Sequence, residues 1–118
     1  MLTQSFTMGN LRNMNTTLKQ TLEILSEANL IDTYADFSTD FADRNINWLS
    51  YTLHKGRDFN AETGINILRQ IRKLKTFYFN KRQRVGAVVD DNIEALEQVD
   101  RLIQAHLENR YGILEIKQ

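Results

Sequence analysis

Not one proline interrupts the 118 residues, and only five glycines do. Proline stops a helix interior by removing a donor and clashing with the preceding turn, and glycine weakens it by about 1 kcal/mol. With so few breakers, the apolar spacing can be followed along almost the whole chain. It repeats at three and four residues, the period of a half-buried helix. The expectation is an all-α fold of about five helices with short connections.

Residues 1–14 are polar and weakly patterned and are expected to form a flexible arm. From Asn15 or Thr16, either of which can accept from orphan helix amides, Leu18, Leu22, Ile24, Leu25 and Leu30 define a first helix ending near Asn29. Thr33 is the next cap, and Tyr34, Phe37 and Phe41 make a helix of about two turns behind it. The polar run Asp43-Arg44-Asn45 reverses the chain, Asn45 or Asn47 caps again, and Ile46, Leu49 and Leu53 form an inward stripe. Gly56 stops that helix, since glycine accepts a positive φ without steric cost. Asn60 caps a longer one carrying Ile67 or Leu68, Ile71, Leu74 and Tyr78 to about Arg82, with Phe77 continuing its core side. Residues 85–89, VGAVV, break the pattern as a turn or hinge. The last helix starts on acids and ends near Arg110, which suits the helix dipole, and Ile93, Leu96, Val99, Ile103 and Leu107 stripe one side.

Two short helices joined by a tight polar turn need a reason, because a helix of two turns has little stability of its own. A helix-turn-helix reader of DNA supplies one: the first helix braces across the backbone while the second lies in the major groove with its polar side free. Asn47, Ser50, Tyr51 and His54 fall on the side away from the apolar stripe. Asn bonds adenine bidentately, Ser bonds either base type, and His reaches guanine or phosphate. Base contacts are therefore expected from Asn45, Asn47, Ser50, Tyr51 and His54. The same spacings also arise in any pair of amphipathic helices, whose polar side chains simply face water.

The formal charge sums to zero but is unevenly placed. Residues 54–89 hold nine basic and two acidic side chains, while residues 1–53 hold three and six, and residues 90–118 three and seven. Arg44, Lys55, Arg57, Arg69, Arg72 and Lys73 are the expected phosphate contacts, since neutralised phosphates supply most salt-dependent DNA affinity. The competing expectation is that this basic helix pairs with Asp90, Asp91, Glu94 and Glu97 of the last one. The segment FYFNKRQR, residues 77–84, mixes aromatics with cations as single-strand binders do, which leaves an RNA binder as a third expectation.

Residues 30–68 resemble a family of small, uncharacterised bacterial helix-turn-helix-like proteins. The residues that carry the likeness are Asp36-Phe37-Ser38, Phe41, Ser50-Tyr51, Gly56-Arg57 and Asn60. The layout is also similar, more loosely, to phage-repressor helix-turn-helix domains. It departs from the pattern in the turn, where Ala42-Asp43-Arg44 stand in place of the usual Gly, and at Asn60, which lacks a neighbouring Pro or Ser. Together with the polar side of the second short helix and the basic block, the resemblance leads to the expectation of a helix-turn-helix-like domain over 15–84 and a transcriptional regulator of bacterial or mobile-element origin. Residues 85–118 would then be a dimerisation helix and tail, working through Leu96, Val99, Ile103 and Leu107 to pair two half-sites.

Catalytic constellations are missing. There is no cysteine, which excludes disulfides and thiolate chemistry and suits a reducing cytoplasm. The two histidines, His54 and His106, sit on separate helices without ligand spacing, so neither a metal nor any other cofactor is expected. Asp90-Asp91 reads as a charged first helical turn, and an enzyme is not expected. The start MLTQSFTMGNLRNMN lacks the basic-then-apolar layout of a signal peptide, and no apolar run approaches a membrane span. The expected partners are double-stranded DNA and a second copy of the chain. The alternative is a helical protein-interaction module, a phage or plasmid accessory factor docking on a host complex through Trp48, Tyr51 and Phe59.

Overall fold

The computed structural model describes residues 16–113, and every regular element among them is helical. α1 is Thr17–Glu27, α2 is Tyr34–Asp36, α3 is Trp48–His54, α4 is Ala61–Val85 and α5 is Asp90–Tyr111. α2 runs directly into one wider turn, Phe37–Phe41, closed by Ala42 N–H donating to the Phe37 carbonyl five residues back at 3.1 Å. The 3₁₀ turn Gly86–Val89 joins α4 to α5. The expected arm, residues 1–14, and most of the tail lie outside the described residues.

Local chemistry sets most of the boundaries. The side chains of Thr16, Thr33 and Asn60 each accept from the amide three residues on, where α1, α2 and α4 begin. α3 ends on Gly56 at φ +68°, with Gly56 N–H donating to Leu53 and Arg57 N–H to Thr52. That paired closure satisfies carbonyls the helix would otherwise leave open. α1 closes the same way with Asn29 at φ +58°, one of the few non-glycine residues tolerated there.

α4 and α5 form an antiparallel hairpin, with α1 packed against α5. Leu18, Leu22 and Leu25 of α1 meet Ile67, Leu68 and Ile71 of α4 and the α5 stripe in one core. Leu96, Val99, Ile103 and Leu107 have no exposed surface at all. The sequence expectation of a dimer seam through these four is corrected: an apolar stripe looks the same whether its cover is the chain itself or a second copy. α5 is for the same reason no appended unit, since it completes the core. Gly64 lets Phe59 lie close against α4, as a Cβ there would stand 2.8 Å from the Phe59 ring.

Two further expectations are revised. Ile46 is 58% exposed and precedes α3, because the Asn45 side chain accepts from Asn47 N–H and delays the helix to Trp48. The inward side of α3 is Leu49 and Thr52, with Leu53 and Trp48 partly buried against the core. Phe77 is half exposed, while its neighbour Tyr78 packs on the core.

The hairpin is also held by charge. Asp100 accepts from Arg72 at 3.1 Å and from Lys75 at 3.0 Å, and Asp90 accepts from Arg82. Burial pushes the Asp100 carboxyl up, but the hydrogen bonds from Arg72 and Lys75 outweigh it and hold it below the usual carboxylate range. A lowered folded value means that this contribution is complete above the unfolded carboxylate pKa of about 3.9 and is lost as pH falls through the folded one. Asp100→Asn is expected to cost about 2 kcal/mol at neutral pH, as hydrogen bonds to charged groups do. It should also flatten the loss of stability below about pH 4. Urea unfolding across a pH series checks both; a variant as stable as the parent at pH 7 would show the ion pairs to be idle.

Candidate nucleic-acid interface

α3 has seven residues, too few to persist without outside bonds. Its N-terminal end is tied by Ser38, which has no exposed surface. The Ser38 hydroxyl donates to the Tyr34 carbonyl at 2.9 Å and accepts from Leu49 N–H at 2.9 Å. One side chain of the first short helix thus satisfies an orphan amide of the second, and the wider turn Phe37–Phe41 carries it. The connection between them is pinned twice more. Arg44 N–H donates to the Ser38 carbonyl at 2.9 Å, and Asn66 of α4 donates to the Ala42 carbonyl at 3.2 Å. Asp43 takes φ +56° in this turn, the left-handed conformation that glycine would otherwise supply.

Beyond its C-terminal end α3 is anchored by Asp58. That carboxylate accepts from Thr17 N–H at 2.8 Å, Leu18 N–H at 3.0 Å and Phe59 N–H at 2.9 Å. It stands at the positive end of α1, where a negative charge is favoured. The segment leaving α3 is thereby fastened to the start of α1.

Ser50, Tyr51 and His54 on α3 and Asn45 and Asn47 just before it are all exposed, as the sequence placed them. Arg44, Lys55 and Arg57 flank them, equally exposed and without an ion pair among the described residues. The Lys55 ammonium lies 5.4 Å from the Tyr51 ring centroid, a cation–π contact that orients both. An open cleft of about 660 Å³ runs between the start of α3 and the start of α4. Ile46, Trp48 and Tyr51 form one side of it, and Arg57 and Asn60 the other. Of the other expected phosphate contacts, Arg69 and Lys73 are exposed on α4. Arg72 is not available, because its guanidinium is committed to Asp100 and to Gln104.

His106 is partly buried beside Phe59, with Nδ1 2.8 Å from the Thr17 hydroxyl and 3.9 Å from Asp58. Both oxygens face the same ring nitrogen. Activating a hydroxyl needs hydroxyl and carboxylate on opposite nitrogens, so this trio lacks the geometry of a relay. No group of three or more His, Cys, Asp or Glu able to hold a metal occurs among the described residues. No described helix is long and apolar enough to cross a membrane.

The sequence did not reveal the anchoring role of Ser38, and it did not single out Asp58 or Asn66, although these three hold the site in place. Ser38 does carry a signal in retrospect, as a polar residue between Phe37 and Phe41 on the inward side of a short helix. Neither a family model, nor a curated protein, nor a solved structure matches the chain.

Ser38→Ala removes the acceptor for Leu49 N–H and should destabilise the protein by about 1–2 kcal/mol. The loss should be local as well as global, with amide exchange at Leu49 and Ser50 accelerated more than at Leu68. Uniform acceleration throughout the chain would mean that Ser38 does not anchor α3 in particular.

Proposed function

We propose that the chain is a small DNA-binding protein of helix-turn-helix type, acting as a transcriptional regulator of bacterial or mobile-element origin rather than as an enzyme. The supporting observation is the outer side of α3: a polar row, Asn47, Ser50, Tyr51 and His54, on a helix tethered before and after, beside three cations that make no ion pair among the described residues. α3 enters the major groove, Asn47 and Ser50 at its N-terminal end meet base edges, and His54 follows one turn on. Arg44, Lys55 and Arg57 meet phosphates on either side, and Arg69 and Lys73 extend the contact along α4. The resemblance of residues 30–68 to helix-turn-helix-like proteins points the same way, and the working place of such a protein is the cytoplasm. A homodimer on paired half-sites would use a surface other than the buried α5 stripe.

A second reading is favoured by one observation. Ile46 and Tyr51 are 58% and 57% exposed and line the cleft with Trp48, a place where an apolar anchor of a protein partner could insert. Phe59, the third member expected of such a patch, is sealed at 2%.

Selection of bound fragments from a random duplex pool is expected to yield a defined sequence. Five phosphate contacts give an expected log–log salt slope of about −4.5 for duplex binding. A slope near zero would favour the interaction module. Asn47→Ala with Ser50→Ala should weaken target binding about tenfold or more and leave random-duplex affinity unchanged. Its unfolding midpoint should match the parent's, since both residues are exposed. Unaltered preference for the selected sequence would rule α3 out as the reading helix.

A further inference from the structure

The cations of α4 divide by helix face. Arg72, Lys75 and Arg82 point toward α5 and are taken up by Asp100 and Asp90. Arg69, Lys73, Lys81 and Arg84 make no ion pair among the described residues. Positions 69, 73, 77 and 81 follow one another at four-residue steps, and 84 is one turn beyond, so they trace a single stripe about 22 Å long. In the middle stands Phe77, 52% exposed, with the Lys81 ammonium 6.0 Å from its ring centroid. At the near end, Asp40 and Asp43 share a shallow depression with Arg69 and Lys73. The positive potential is therefore least opposed from Phe77 to Arg84.

We propose that this stripe is a binding track for single-stranded nucleic acid, with an unpaired base stacked on Phe77 and strand phosphates on Lys73, Lys81 and Arg84. A half-exposed ring between cations is the arrangement by which a strand is held without regard to sequence, because every base has a face to stack. A duplex keeps its base faces covered and has no use for Phe77. A bilayer needs a contiguous apolar area, yet Phe79, the next exposed ring, projects about 200° round the helix from Phe77. A second copy packed two-fold on this face would set Lys73, Lys81 and Arg84 against their own counterparts. The track lies apart from the reading helix and meets the proposed duplex contacts of α4 only at Lys73.

The test is fluorescence anisotropy of the full chain with labelled single-stranded oligothymidylate over a salt series, alongside phosphatidylserine vesicles. Saturable binding with a log–log slope of about −2, for three phosphates, is expected. Phe77→Ala should weaken it about tenfold at unchanged slope, and Phe77→Leu should fail to restore it, since bulk alone does not stack. Lys81→Gln with Arg84→Gln should reduce the slope by about 1.4. Asn47→Ala with Ser50→Ala should leave strand binding intact, and Phe77→Ala should leave duplex binding intact, which separates this track from α3. The proposal is overturned if the strand does not bind, if Phe77→Ala has no effect, or if vesicles bind and the oligonucleotide does not.

Discussion

The interior of this protein depends on how α5 uses its apolar side. Leu96, Val99, Ile103 and Leu107 are wholly covered by α1 and α4. Burying a side chain of this size contributes about 1.5–3 kcal/mol, so the four together supply roughly 6–12 kcal/mol. The net stability of a domain is about 5–15 kcal/mol. Turning this stripe toward a partner would therefore forfeit something close to the whole margin by which the chain folds. The seam belongs to the protomer, and any assembly has to be built from other surfaces.

Once α5 is seated, its carboxylates sort the cations of the neighbouring helix. Asp100 and Asp90 face α4 along one edge and bind Arg72, Lys75 and Arg82. The basic block seen in the sequence is thus two populations with opposite uses. One neutralises the acidic helix and helps fix the register of the hairpin. The other, Arg69, Lys73 and Arg84 with the partly buried Lys81, makes no ion pair among the described residues, as Arg44, Lys55 and Arg57 make none. A net charge of zero therefore conceals surfaces that still attract anions.

What could be read from the sequence divides by separation along the chain. Thr16, Thr33 and Asn60 cap helices by bonding three residues ahead, and Gly56 closes α3 within five; such contacts are visible in a short window. The polar residues on α3 were legible for the same reason, since the helical period places them opposite Leu49. Ser38 to Leu49, Asn66 to Ala42, Asp58 to Thr17 and Asn92 to Ala28 span 11 to 64 residues, and nothing local announces them. Ile46 was misread because its spacing to Leu49 and Leu53 imitates a stripe, while the Asn45 side chain ends that continuity in a single bond. The α5 stripe was correctly seen as a covered face, but periodicity carries no information about what covers it.

The long-range bonds also bear on how α3 would work. A recognition helix must present its side chains to base edges with tolerances well under an ångström, and a seven-residue helix on a slack loop could not. Here the segments on either side of it are fastened to different parts of the core: Ser38 at the start, and Asp58, bonded to α1, after its end. Asp43 holds the intervening turn in a left-handed conformation, which keeps the tight reversal although the glycine usual in such turns is missing. The exposed side of α3 therefore moves with the body of the protein. Contact at Asn47 and Ser50 then needs little ordering of the helix on binding, so more of the interaction free energy remains available for telling one sequence from another.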